Sequence, residues 1–156
     1  LSDASNLTAR SALPWADTLA GLCIANAGVT LPHGIGMAIG GMYPHVMHGE
    51  SLALSYPAFT RFTYTSAVLQ FARLGRLFNE QLANAPDENA AKQSCEDLDA
   101  FLKKIGMWMS LEDKGVPEEE LPALAKQSMV LPDYKSNPRV TTKDEMLALL
   151  QRCYRR

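Results

Sequence analysis

A chain of 156 residues with 47% hydrophobic and 21% charged side chains has the length and apolar content of one domain with its own core. A net charge of -2, with acids and bases mixed along the sequence, leaves no basic footprint for a phosphate backbone, so nucleic acid is not an expected partner. No apolar run approaches the roughly 20 residues of a membrane helix, and the opening LSDASNLTAR lacks the basic start and apolar centre of a signal peptide.

In chain order, Trp15 to Ala27 reads as a mostly apolar helix stopped by Gly28, with Pro14 making anything helical before it a separate or kinked piece. A short helix follows Pro32 through Ile35, Met37 and Ile39 to the Gly40-Gly41 pair. Another opens near His48 and Glu50, and Pro57 should kink it. Thr65 to Leu82 is helical and apolar on more than one side. Cys95, Leu98, Leu102 and Ile105 form one stripe of a helix that opens at Asp87 and closes at Gly106. Pro117 to Met129 is a shorter helix with an acidic start, and Leu131 to Thr141 is loop. In the last helix Met146, Leu149, Leu150, Cys153 and Tyr154 share one face, and Thr142 with Glu145 forms a capping box.

Strand signals are sparse, so the expected fold class is all-α, an irregular bundle of about six to eight helices in a single domain spanning residues 1-156. Cys23, Cys95 and Cys153 are odd in number and lie among apolar residues. They read as buried thiols of a reducing compartment, which implies a cytoplasmic setting. Trp15 and Trp108 are expected to pack, as are Met42, Met47 and Met146. Arg152, Arg155 and Arg156 are expected to form a solvated helix end, and Arg139 to hold the last loop to the domain.

All three histidines, His33, His45 and His48, fall in one glycine-studded apolar stretch, TLPHGIGMAIGGMYPHVMHGES. Glycine in a helix interior costs roughly 1 kcal/mol against alanine, and Gly34, Gly36, Gly40 and Gly41 together trade helix stability for close backbone approach. On one straight helix His33 and His48 would stand about 22 Å apart. Gly40, Gly41 and Pro44 lie between them, so a reversal there would bring His48 back beside His33. Two imidazoles suit zinc or iron but need further ligands. Partly buried histidines with ordinary hydrogen bonds are the competing reading.

The segment GLCIANAGVTLPHGIGMAIGGMYPHVMHGESLAL resembles the C-terminal helical domain of the iron-containing (group III) alcohol dehydrogenases, a dehydroquinate synthase-like fold. The resemblance lies in Asn26-Ala27-Gly28, His33, Gly40-Gly41 and His48-Gly49. It extends to Asn137-Pro138-Arg139 before a capped final helix, and so runs from about Ala9 to Leu150.

By that resemblance His33 and His48 are metal ligands for a divalent cation, iron(II) first and zinc second. The family's remaining Asp and His, and its nucleotide-binding domain with NAD(P), would belong to a segment before this one. The chain is then expected to be a fragment of a metal-dependent alcohol dehydrogenase acting on a small alcohol or aldehyde, and inactive by itself. Two departures stand out. Met37 occupies the position where the family usually has another histidine, and the stretch between the ligands is one residue longer, which raises His45 as an alternative to His48. Met37 also favours a rival reading, a stand-alone non-catalytic binding or regulatory module. In either case an uncovered apolar face is expected, with a homodimer through it.

Overall fold

A computed structural model describes residues 3-156, and among them there are seven α-helices, five short 3-10 turns and no strand. The helices are α1 (Leu7–Ala27), α2 (Leu31–Met42), α3 (His48–Thr63), α4 (Val68–Phe78), α5 (Asp87–Lys104), α6 (Leu121–Gln127) and α7 (Lys143–Tyr154). The all-α expectation holds. No single helix is long and apolar enough to cross a membrane among the described residues.

The core forms where α2, α3, α6 and α7 meet. Leu31, Ile35 and Ile39 of α2 repeat at four-residue steps, so they line one face, and they are buried with Leu54, Leu124, Met146 and Leu150. Each such side chain is worth roughly 1.5-3 kcal/mol on burial. The last helix begins as its residues dictate: Thr142 Oγ1 accepts from the Glu145 N–H at 3.2 Å while Glu145 accepts from the Thr142 N–H at 2.9 Å. Arg139 braces the preceding loop by donating to the Phe62 carbonyl at 3.2 Å and to Glu145 at 2.7 Å while its guanidinium stacks on the Phe62 ring. A smaller cluster joins α4 to α5 around Phe71, Ala72, Ala90 and Ala91, and Arg61 clamps α3 to α5 through Asp99 at 2.8 Å and Glu96 at 2.7 Å.

Several local expectations need correction. Pro14 does not divide the first helix: α1 is continuous from Leu7, because a lone proline removes one donor while the bonds on either side persist, and Asn6 caps the start by accepting from the Ala9 N–H at 2.9 Å. α3 carries Pro57 within an unbroken helix, which the kink expected there allows. The single helix foreseen over Thr65 to Leu82 is α4 flanked by two 3-10 turns, and the loop after Leu131 contains the turn Pro132–Ser136. Gly28 stops α1 at a positive φ of 73°, but with extended ψ rather than a left-handed helical cap.

The largest departure concerns α1, in which no residue is buried. Trp15 is 62% exposed and Cys23 is exposed, so neither is the packing residue or buried thiol foreseen, whereas Cys95 and Cys153 are buried. Met47, 68% exposed, is not core filling either, although Met42 packs against the core and Met146 is fully buried. At the C-terminus only part of the basic end is solvated as foreseen. Arg155 pairs with Glu112 at 3.0 Å, and Arg156 folds back over the Trp108 ring and donates to the Leu54 carbonyl.

Candidate metal centre

The expected reversal forms between Tyr43 and Met47, at Pro44 alone, since Gly40 and Gly41 stay inside α2. α2 ends at Met42, the chain turns through Pro44 and His45, and α3 starts at His48. This returns the two imidazoles to each other: the rings of His33 and His48 lie 5.2 Å apart between centroids, tilted by 60°. Among the described residues neither ring makes a hydrogen bond, which leaves their nitrogens free for a ligand. Burial pushes the His33 imidazolium towards its neutral form; the neighbouring His48 adds to the effect, and Asp133 opposes it.

A missing side chain makes the approach possible. A Cβ on Gly36 would stand 2.9 Å from Ser51 Oγ, 3.2 Å from His48 Cε1 and 3.3 Å from Leu52 Cδ2, so α3 could not lie against α2 as it does. Gly40 and Gly41 have open space where a side chain would project. Of the four glycines in this helix, the close-approach argument therefore applies most sharply at Gly36.

The start of α3 is held from below. Glu50 accepts from the Met47 N–H at 3.0 Å with one carboxylate oxygen and from Lys114 Nζ at 2.6 Å with the other. These bonds, the Lys114 one foremost, hold the Glu50 carboxyl below the ordinary range. Tyr43 donates to Glu120 at 2.6 Å, which ties the end of α2 to the turn before α6, and burial with the adjacent Glu120 raises its phenol. His45 is engaged in this bracing: its Nε2 lies 2.8 Å from the Lys114 carbonyl and its ring stands edge-on to Tyr43. The structure thus sets His48 beside His33 and places His45 against the loop at Lys114. Glu50 was picked out only as an acid at the helix start; its partner Lys114, and the Tyr43–Glu120 pair, were not, because partners 64 and 77 residues apart leave no local signal.

Two imidazoles on one open face suit a divalent first-row cation. No group of three or more His, Cys, Asp or Glu that could hold a metal occurs among the described residues. Two imidazoles by themselves fall short of the four donors of a tetrahedral cation site. Met37 lies one turn beyond His33 on the same face of α2 and is 54% exposed, adding only a thioether.

Comparison with known proteins matches nearly the whole chain to one family. The family model for the Fe-containing alcohol dehydrogenase family, C-terminal, matches residues 1–154. The NAD-dependent methanol dehydrogenase of Bacillus methanolicus is 26% identical over 151 residues, which is 97% of this chain and 39% of that protein. The 1,3-propanediol dehydrogenase of Klebsiella pneumoniae is 27% identical over 150 residues, 96% of this chain and 38% of that protein. A crystal structure of a 1,3-propanediol oxidoreductase superposes with a TM-score of 0.90 at 27% identity, covering 96% of this chain and 39% of the other. The chain therefore spans under two fifths of the relatives it matches.

Proposed function

This chain belongs to the iron-containing alcohol dehydrogenase family, as its C-terminal helical part, and from that premise we propose that it supplies two ligands, His33 and His48, to the metal centre of an NAD(P)-dependent alcohol dehydrogenase. When bound, a divalent cation, iron(II) or zinc, supplies Lewis-acid chemistry at an alcohol oxygen, and NAD(P) supplies the redox partner. The chain's own residues hold and orient. His33 projects from the first turn of α2 and His48 from the first residue of α3, Gly36 admits the second ring beside the first, and Glu50 with Lys114 fixes the end of the helix that carries it. The open face over Gly40 and Gly41 leaves room for cofactor and a small alcohol or aldehyde.

The observation that carries this reading is the ring pair at 5.2 Å with no hydrogen-bond partner among the described residues. The length of the relatives supports assigning the remaining ligands and the nucleotide-binding domain to a preceding segment. The 156 residues alone are then expected to bind divalent metal weakly and to show no alcohol-dependent reduction of NAD(P). The test is metal analysis and a dehydrogenase screen on the full-length product of the gene. H33A and H48A should each lose the metal and the activity together, and metal retention in both variants would refute the assignment.

A second reading, a non-catalytic helical module that kept the fold, draws on Met37. Its thioether occupies the open face beside His33 and carries no proton. A full-length product that binds metal but turns over no alcohol in the screen would favour the module.

A further inference from the structure

With about 100° between successive residues of a helix, Gly36 lies about 60° to one side of His33 and Gly34 about 100° to the other. On the Gly36 side stands α3 with His48. On the Gly34 side stands the turn Pro132–Ser136, where the Asp133 carboxylate Oδ2 lies 3.7 Å from the position a Gly34 Cβ would take. His33 and Met37 thus project between two walls, one imidazole and one carboxylate. Asp133 is half-buried, yet among the described residues it makes no ion pair and no hydrogen bond, and the adjacent Lys135 turns to the Tyr134 ring instead. A half-buried carboxylate without a structural partner leaves its charge uncompensated beside the first turn of α2, the turn that carries His33.

We infer that Asp133 is a further residue of the cation-facing cleft, a positioning charge whose carboxylate strengthens the hold of His33 and His48 on a divalent cation. The inference rests on the reading of those two histidines as ligands. A carboxylate there also complements the α2 N-terminus, whose first turn holds no acid and whose N-cap Thr30 makes no capping bond. That purely structural role would change stability without changing cation affinity, and the two effects separate experimentally.

The experiment is Co²⁺ titration of the full-length product of the gene, read by visible absorption and calorimetry, with D133N, D133E, H33A and H48A. D133N keeps the shape and removes the charge. It should weaken Co²⁺ roughly tenfold, the scale of one unit charge near a largely hydrated dication, with D133E recovering most of the loss. The wild-type advantage should shrink as salt is raised. If D133N binds Co²⁺ as tightly as wild type while H48A loses it, the Asp133 inference is overturned and the histidine pair stands. If H33A and H48A bind as wild type does, the ligand assignment falls and takes Asp133 with it. A D133S variant, checked by its thermal midpoint without metal, separates loss of folding from loss of charge.

Discussion

Replacing Gly36 by alanine tests whether close helix approach positions the second imidazole. Two opposed energies set the outcome. Alanine in a helix interior gains roughly 1 kcal/mol over glycine, while overpacking a well-filled contact costs about 1-3 kcal/mol. The new Cβ would meet Ser51 Oγ at 2.9 Å, below any real Cβ contact, and Ser51 is not free to turn away, since its hydroxyl donates to the His48 carbonyl at 2.7 Å. His48 Cε1 at 3.2 Å must also give by a few tenths of an ångström. The net expectation is a loss of about 1 kcal/mol, or roughly 2-4 °C in Tm for a domain of this size, together with weakened divalent-cation binding in the full-length product. Thermal unfolding and Co²⁺ titration measure the two effects. The control is G40A, one turn on, where no atom lies within 4 Å of the added Cβ and the propensity gain should appear undiminished. A G36A variant that gains stability as G40A does, with unchanged Co²⁺ affinity, would refute the reasoning.

Gly75 of α4 offers a harsher case: its Cβ would stand 2.5 Å from the Ala90 carbonyl oxygen, which is backbone of α5 and cannot rotate away, so G75A should cost about 2 kcal/mol or more in a denaturant titration. The Glu145 carboxyl is held below its ordinary range by the Thr142 N–H, then by Arg139. Its folded pKa is depressed, so its contribution is complete above the unfolded value and is lost as pH falls through the folded one. E145Q should therefore flatten the decline in stability below about pH 4.5, and an unchanged pH profile would contradict this. Because α1 buries none of its side chains, removing residues 1-28 should leave the denaturation midpoint nearly unchanged. A large fall in the midpoint would show that α1 does hold the core.

Legibility in the sequence followed the range of the interaction responsible. The α7 capping box rests on Thr142 and Glu145 three residues apart, and the α2 core face on Leu31, Ile35 and Ile39 at helical steps, so both are plain in the letters. The reversal that returns His48 to His33 was legible in part: Pro44 marks it locally, whereas Gly40 and Gly41, expected to break the helix, lie inside α2. Trp15, Cys23 and Met47 misled for the converse reason. Apolar composition says that a side chain favours burial, not that a partner surface exists to cover it.

Residue chemistry and short-range periodicity by themselves determined the all-helical class and most helix positions, since hydrogen bonds and stripes of a helix close within a few residues; for the histidines they offered a pairing beside a competing reading. Only the folded arrangement decided that Gly36 alone of its helix crowds α3, that Glu50 and Lys114 pin the start of that helix while His45 braces the same loop, and that the Asp133 carboxylate lies against Gly34 of α2. Those contacts join residues a dozen or more positions apart. Such pairings cost loop closure entropy and are selected by packing of the whole core, so no local pattern announces them.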